Sequence, residues 1–242
     1  MALDNVLARF HSESACDFTL RVYQWAQPTL SCGFNQKAHV RVDIEACSRL
    51  GVAVVRRPTG GRELLHDRDL SFSITGRKSQ SDSFSQSFLQ AGSSVILGGL
   101  RSIGIGAMIV PRAKKPGEMA KGPCLAATSQ YEIAWDGKKI VPMAQRIFEG
   151  SILVHGSIQI RQNTVSTASL LLSHEKEIWQ KRIDAIAVDL ERITGRLVDL
   201  KELKAGLKQS FEQVFKGRAE DSGLTDFELT LATSEIEKWK IG

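Results

Sequence analysis

The chain has 242 residues, of which 42% are hydrophobic and 24% are charged, a composition typical of a globular protein with a core of its own. The formal net charge of +5 favours acidic partners but is too small to indicate nucleic acid as the partner. No apolar run approaches the ~18 residues that a membrane-spanning helix needs, so we expect no membrane association.

Four cysteines, Cys16, Cys32, Cys47 and Cys124, are spread along the chain with no CxxC pair. This spacing excludes the usual zinc-binding patterns, so no metal site is predicted, and it does not resemble a disulfide framework. Asp4 and Arg9 interrupt any signal-peptide interpretation of the N-terminus. We therefore expect a cytoplasmic protein in a reducing environment.

Hydrophobic periodicity and turn residues predict the elements of the first half of the chain. They are a helix over Met1–Phe10, strands over Phe18–Tyr23 and Thr29–Phe34, a helix from Asp43 to Leu50, strands over Val52–Arg57 and Leu70–Thr75, a helix over Ser81–Leu100 and a strand over Gly106–Val110. Asp43 is the predicted cap of its helix, which Gly51 closes. The longest helix carries an apolar stripe from Phe84 to Leu100 for packing on a sheet.

The second half opens with a basic loop, continues as strands and ends as helices. Its predicted elements are a loop over Arg112–Pro123, strands over Tyr131–Trp135, Lys138–Ile147 and Ser151–Ile160, and helices over Glu175–Ile193, Leu200–Phe215 and Asp226–Trp239. Asp136–Gly137 is a strong hairpin signal, which indicates a mixed rather than a purely parallel sheet. The sequence thus predicts an α/β fold of the α+β kind, with a mixed β-sheet core and packed helices. We expect one domain over 1–242, with 164–242 as a candidate helical C-terminal subdomain.

The segment RRPTGGRELLH, from Arg56 to His66, follows an apolar run that predicts a buried strand. The pair Gly60–Gly61 lets the backbone approach a ligand closely, with N–H groups turned toward negative or carbonyl oxygen. Arg57 and Arg62 add positive charge to the same loop. The pattern indicates a loop that holds an acyl, carboxyl or phosphate group. The alternative is a tight turn with solvated arginines.

Cys124 follows the basic segment and precedes the hairpin that carries Lys139. Neighbouring cations lower the pKa of a thiol and raise the fraction of thiolate, which is the nucleophilic form. A thiolate would attack a thioester readily, because the exchange of one thioester for another is nearly balanced in free energy. Taken alone, Cys124 is more often a packing residue, Lys139 an exposed lysine beside a turn, and His155 a strand-end histidine.

Four blocks of the sequence occur in the order of a known family. They are MALDNVLA at 1–8, LRVYQWAQPTLSCGFNQ at 20–36, RRPTGGR with the following Leu65–His66–Asp67, and the block from Cys124 to Ser157. The chain resembles the lipoate/octanoate protein-transfer family within the biotin/lipoate ligase superfamily, and it is most similar to cysteine-type (LipM-like) octanoyltransferases. The resemblance implies a biotin/lipoate ligase-like catalytic domain.

The resemblance also implies roles for individual residues. Cys124 matches the acyl-accepting cysteine, and Lys139, in the segment GKKIVPMAQRI, matches the lysine that lies against the acyl carbonyl. The residues at the matching substrate-binding positions are Arg57, Thr59, Gly60, Gly61, Arg62, His66, Ala144, Gln145, His155, Gly156 and Ser157. The chain departs from the family at Pro142 and Met143, where glycine and serine are usual. Proline fits a strand only at an edge or a bulge, and the larger methionine shortens the expected acyl slot.

The function that the resemblance implies is acyl transfer. An octanoyl group would move from acyl carrier protein to Cys124, and then to a lysine of a lipoyl domain such as glycine cleavage H protein or a dehydrogenase E2 subunit, without a cofactor. One alternative is a lipoate–protein ligase, which uses ATP and Mg²⁺. Others are an amidotransferase that moves octanoyl or lipoyl between lipoyl-bearing proteins, and a catalytically silent module that binds acyl carrier protein. Cys124 favours the first, because a ligase needs no cysteine at that position.

Overall fold

The structure is a computed structural model that describes residues 1–13, 16–79, 81, 83–110 and 132–242. The helices are α1 (Ala2–Arg9), α2 (Ala38–Arg41), α3 (Ile44–Arg49), α4 (Phe84–Ser102), α5 (Lys176–Ile186), α6 (Leu190–Thr194), α7 (Leu200–Phe215), α8 (Asp226–Ser234) and α9 (Ile236–Trp239). The strands are β1 (Phe18–Tyr23), β2 (Thr29–Cys32), β3 (Ala53–Arg56), β4 (Leu64–His66), β5 (Asp69–Arg77), β6 (Met108–Val110), β7 (Glu132–Trp135), β8 (Lys138–Val141), β9 (Met143–Ile147) and β10 (Ser151–Gln159). Within the described residues, no helix is long and apolar enough to cross a membrane.

The described strands form three sheets. Four antiparallel strands, in the order β1-β5-β10-β9, make the largest sheet. A smaller sheet has the order β3-β2-β4, in which β2 runs parallel to β3 and antiparallel to β4. The third sheet, β6-β7-β8, is antiparallel. The fold is therefore mixed α/β, as the sequence predicts, although its strands divide into several sheets instead of one.

The main hydrophobic core combines the four-stranded sheet with the long helices α4 and α7. Phe72 and Val154 contribute from the sheet, and Leu207 contributes from α7. The apolar stripe predicted for α4 faces this core, because Phe88 and Val95 are both buried there. Burial of a large apolar side chain stabilises the fold by about 1.5–3 kcal/mol. The cluster is therefore a major source of stability.

Local signals in the sequence predict several elements correctly. Asp43 caps α3 by accepting a hydrogen bond from the Ala46 amide at 2.9 Å, and Gly51 closes it with a φ of +67°. The hairpin turn between β7 and β8 lies at Asp136–Gly137, where both residues have positive φ. Helix α7 has the predicted bounds. The predicted loop over Arg112–Pro123 lies outside the described residues.

Two helices predicted as continuous are each broken, so those predictions are wrong. The segment Glu175–Ile193 forms α5 and α6, because the chain between them pairs with β8: the Val188 amide donates to the Lys139 carbonyl oxygen at 3.0 Å. Asp189 then caps α6. The segment Asp226–Trp239 is likewise divided into α8 and α9, with the break at Glu235. A helical period in the sequence does not register such tertiary pairing.

The predicted strand Lys138–Ile147 is also two strands, separated by Pro142. Strand β8 belongs to the three-stranded antiparallel sheet and β9 to the four-stranded sheet. Proline has no amide proton to donate to a ladder, so it suits the point where the chain leaves one sheet for another. Its carbonyl oxygen accepts a hydrogen bond from the Ser157 amide at 3.2 Å. Pro142 thus directs β9 against β10, beside the candidate site.

Candidate active site between two sheets

The loop after β3 is held by the buried guanidinium of Arg57. Its Nη2 donates to the carbonyl oxygens of Gly60 at 2.8 Å and Arg62 at 2.7 Å, and its Nη1 donates to the Ser31 carbonyl oxygen at 2.9 Å. A guanidinium presents several donors in a fixed plane, so it can close such a loop on its own carbonyl groups. The positive charge of Arg57 therefore shapes the loop as well as facing the site.

Two glycines let this loop lie directly on the end of β2. A Cβ on Gly33 would lie 2.0 Å from the Gly61 carbonyl oxygen, a distance that no side chain tolerates. Gly61 has a φ of +95°, in the region that favours glycine. The Phe34 amide donates to the Thr59 carbonyl oxygen at 2.8 Å. One of the two glycines predicted to approach a ligand is thus used for contact between two segments of the chain.

The opposite side of the loop is tied to the four-stranded sheet. A hydrogen bond of 2.5 Å joins the Thr59 hydroxyl to Nε2 of His155, and both side chains are buried. Nη1 of Arg146, on β9, donates to the Pro58 carbonyl oxygen at 2.8 Å. The loop therefore bridges two sheets. The Thr59 carbonyl oxygen binds the segment that follows β2 of the three-stranded sheet, and the Thr59 hydroxyl binds β10 of the four-stranded sheet.

His155 is held as a neutral ring. Burial lowers the pKa of His155 to about 3, against the attraction of the nearby Asp4 carboxylate, and the positive charge of Arg57 lowers it further. At physiological pH the imidazole is uncharged, so one ring nitrogen accepts and the other donates. His155 thus gives the loop a hydrogen bond without adding a charge to the site.

Asp4 of α1 is a fully buried carboxylate near His155. It pairs with the Arg21 guanidinium at 2.7 Å and accepts a hydrogen bond from the Tyr23 hydroxyl at 3.0 Å. Burial acts to raise the pKa of Asp4, but surrounding positive charges, that of Arg21 among them, hold it at about 2. This ionised group fastens α1 to β1 beside the site.

His66, at the end of β4, has a partner at each ring nitrogen. Its Nδ1 donates to the Asp69 carboxylate at 2.8 Å, its Nε2 lies 2.9 Å from the Ser31 hydroxyl, and Trp25 stacks on the ring. The Ser157 hydroxyl also donates to Asp69, at 2.6 Å. Burial acts to raise the pKa of Asp69, yet the neighbouring His66 and these hydrogen bonds hold it below its usual value. The network joins the small sheet to the large one.

A cavity of about 30 Å³ lies between the loop and strands β9 and β10. Its lining consists of Met1, Tyr23, Arg57, Leu64, His66, Ser71, Pro142, Met143, Ala144, His155 and Gly156. Five residues that are predicted from the sequence to bind substrate are among them, namely Arg57, His66, Ala144, His155 and Gly156. Residues more than eighty positions apart in the chain thus line the same cavity.

The remaining predicted residues do not line the cavity. Ser157 is bound to Asp69, Gln145 donates from its Nε2 to the Ser85 carbonyl oxygen at 2.7 Å, and Gly60 is exposed. Lys139 is buried on β8, in the segment that runs through Pro142 into the cavity wall. Cys124 lies outside the described residues.

Comparison with known proteins gives the family. The profile of the lipoyl protein ligase A/B catalytic domain matches residues 1–212. The chain belongs to this family. It is 35% identical to the octanoyltransferase LipM of Anoxybacillus flavithermus, over 95% of this chain and 86% of that protein. It is 34% identical to the enzyme of that name from Geobacillus kaustophilus, over 99% and 92%, and 32% identical to that of Bacillus subtilis, over 88% and 80%.

Solved structures of lipoyl protein ligases share the fold. A bi-partite lipoate protein ligase of Thermoplasma acidophilum, studied with its E2 lipoyl domain, superimposes with a TM-score of 0.79 at 20% identity, over 98% of this chain and 86% of that one. A lipoate-protein ligase A bound with ATP superimposes with a TM-score of 0.78 at 20% identity, over 98% and 88%. The predicted lipoate ligase-like catalytic fold is confirmed.

Several residues of the candidate site were not predicted from the sequence. Asp4, Tyr23, Ser31, Asp69 and Ser71 hold or line the cavity. One signal was available for Asp4, because it lies within the block MALDNVLA at 1–8 that carries the family resemblance. No comparable signal marks Ser31, because serine in a short strand is common and its partner His66 is brought to it only by strand pairing.

The three cysteines within the described residues, Cys16, Cys32 and Cys47, differ from one another in burial. Burial raises the pKa of the Cys32 thiol to about 11, and burial likewise raises that of Cys47 to about 11, so both are protonated at neutral pH. Cys16 is exposed.

Among the residues that the structure describes, no group of three His, Cys, Asp or Glu side chains is arranged to hold a metal ion.

Proposed function

We propose that this protein is an octanoyltransferase of protein lipoylation that works through a thioester on Cys124. Three relatives from different bacteria, each 32–35% identical over at least 88% of this chain, are octanoyltransferases, and this observation carries the proposal. The family profile over residues 1–212 includes the cavity-lining residues and both histidines. The donor is octanoyl-acyl carrier protein and the acceptor is a lysine of a lipoyl domain.

The reaction proceeds in two balanced steps. The Cys124 thiolate attacks the carbonyl carbon of the donor thioester, the bond to the carrier sulfur breaks, and the carrier leaves as a thiol after taking up a proton. The uncharged ε-amine of the acceptor lysine then attacks the new thioester. The bond to Cys124 breaks, an amide forms, and the cysteine sulfur takes up the proton that the amine loses. Neither step needs ATP, because the energy of the thioester is conserved until the amide forms.

Lys139 is the proposed cation beside the reacting carbonyl. An ammonium group there stabilises the negative charge that develops on the carbonyl oxygen in both steps. Its burial on β8, in the segment that leads into the cavity wall, supports this role because water does not screen a buried charge. The neutral His155 adds no further positive charge to the cavity wall, where Arg57 already supplies one.

A lipoyl domain is the proposed acceptor on the basis of fold and family. The Thermoplasma acidophilum ligase with the same fold was studied with its E2 lipoyl domain. This chain carries a formal charge of +5, which favours association with acidic proteins of either kind, carrier or lipoyl domain. Glycine cleavage H protein and dehydrogenase E2 subunits are the classes of acceptor to be compared.

The test is to incubate the protein with octanoyl-acyl carrier protein in the absence of ATP. We expect mass spectrometry to find one octanoyl group on Cys124, removable by hydroxylamine. Cys124→Ser should abolish loading and transfer, because a serine hydroxyl is not ionised at neutral pH. Cys16→Ser is the matched control, since it removes another cysteine thiol, an exposed one, and should leave transfer unchanged.

The other functions give different results in the same assay. If Cys124→Ser retains full activity and the reaction requires ATP with free lipoate, the protein is a ligase and the proposal fails. If octanoyl-acyl carrier protein does not load Cys124 but an octanoylated lipoyl domain does, the protein is an amidotransferase. If no donor loads the protein and the carrier still binds, it is a carrier-binding module.

A further inference from the structure

The cavity is smaller than an acyl chain. Its volume is about 30 Å³, whereas an apolar cavity that binds one benzene molecule measures ~150 Å³. An octanoyl chain has more carbon atoms than benzene, so at least one wall must move when the chain enters. The contacts of each lining residue show which wall that is.

The polar part of the wall is fixed by hydrogen bonds. Arg57 is bound to carbonyl oxygens of its own loop, His66 to Asp69, and His155 to Thr59. Moving any of these side chains would leave a buried polar group without its partner, at a cost of about 1–3 kcal/mol. The polar wall therefore stays in place when the cavity enlarges.

The apolar part of the wall contains Met143, which lies between the cavity and the main core. Met143 lines the cavity and is also a buried member of the core cluster that includes Val154. On the core side, the hydroxyl of Ser93, on α4, lies 3.8 Å from its sulfur. Gly156 stands opposite Met143 in the β9–β10 register, and the Phe72 ring, a member of the core cluster, fills the space that a side chain on Gly156 would take. Met143 is the partition between cavity and core.

Methionine is suited to such a partition. Its side chain is unbranched, with three rotatable bonds, and it fills irregular spaces at low cost. The neighbouring lining residues are less adaptable, because Leu64 is branched, Ala144 is short and Pro142 is a ring. Met1 shares this flexibility, but it is the N-cap residue of α1 and is not a member of the main core cluster.

We infer that the Met143 side chain is the movable end wall of the acyl slot and sets the length of acyl chain that the protein accepts. The inference rests on the proposed function, since it assigns the cavity to the acyl group. When the Met143 side chain swings aside, a chain of medium length enters the volume that this side chain now fills beside Ser93. Further methylenes would meet the packed core, where added volume costs about 1–3 kcal/mol.

The test is the preference of Met143 variants for acyl chains of different length. Met143→Ala removes the partition, and Met143→Val removes part of it while keeping a residue that favours strands, in case the alanine variant does not fold. We expect the ratio of kcat/KM for dodecanoyl over octanoyl carrier protein to rise about tenfold or more in either variant, in line with the ~10–200-fold that one methylene can contribute to discrimination. Met108→Ala is the matched control, because Met108 is 62% exposed on β6.

Calorimetric binding of free octanoate and dodecanoate tests the same wall without turnover. We expect the wild-type protein to prefer octanoate and the variants to bind dodecanoate relatively more tightly. A shift in binding without any acyl transfer would support the role of Met143 and count against the proposed function. Unchanged transfer and binding ratios in a folded Met143 variant, or an equal shift in Met108→Ala, would overturn the inference.

Discussion

His66 and His155 line the same cavity from different sheets, but their hydrogen bonds differ in kind. His66, on β4, is bound on both sides, to a carboxylate and a hydroxyl. His155, on β10, is bound at Nε2 to Thr59 of the loop, and burial lowers its pKa to about 3. The first histidine belongs to an ionic network that spans two sheets. The second holds the loop with a neutral contact.

The difference indicates separate tasks for the two walls. A carboxylate that accepts several hydrogen bonds is costly to disturb, so the Asp69 network should act mainly on stability. A single neutral hydrogen bond to a loop contributes less to stability, but it decides where the loop lies. We therefore expect variants near His66 to change unfolding most, and variants near His155 to change pH dependence and acyl transfer.

The largest expected effect is on the His66 side. Asp69→Asn removes the charge that accepts hydrogen bonds from His66, Ser71 and Ser157, and we expect the free energy of unfolding to fall by about 3 kcal/mol in urea titrations. Asp221→Asn is the control, because Asp221 is an exposed carboxylate paired with Lys208 and should change stability by less than about 1 kcal/mol. Equal losses in the two variants would contradict the role of the network.

The next effect concerns the pH dependence that His155 confers on stability. The pKa of His155 is about 3 in the folded protein against a usual value of 6.5, so the unfolded chain binds a proton that the folded protein does not. Stability is therefore full above pH 6.5 and is lost as the pH falls toward 3, at about 1.4 kcal/mol for each pH unit.

Lowering the pH from 7 to 5 should reduce the free energy of unfolding of the wild-type protein by about 2 kcal/mol more than that of His155→Gln. His11, whose pKa burial also lowers, is present in both proteins and cancels in the difference. The measurement is the urea midpoint of each protein at the two pH values. Parallel pH profiles would show that His155 is not held neutral.

The smallest expected effect concerns Thr59. Thr59→Val keeps the shape of the side chain and removes the hydroxyl that binds His155, so we expect loading of Cys124 to slow about tenfold, the equivalent of one hydrogen bond. Thr59→Ser keeps the hydroxyl and should retain most of the rate. Single-turnover loading separates this positioning role from a loss of folded protein. Similar loading rates in Thr59→Val and wild type would contradict a positioning role for the Thr59 hydroxyl.

Much of the local structure could be predicted because short-range chemistry decides it. Asp43 and Gly51 bound α3, the Asp136–Gly137 turn joins β7 to β8, and α7 follows its apolar period. The break between α5 and α6 could not be predicted in the same way. It depends on pairing of Val188 with Lys139, almost fifty residues earlier in the chain.

The candidate site divides along the same line. The sequence by itself determined the family motif, the glycine loop and the residues Arg57, His66 and His155, because motif and spacing are properties of the chain. Only the tertiary structure decided that Arg57 closes its own loop, that Asp69 and Asp4 are the buried charges beside the two histidines, and that Met143 separates cavity from core. The burial and the hydrogen-bond partners of these side chains depend on which distant strands pack together, and no single segment of the sequence specifies that packing.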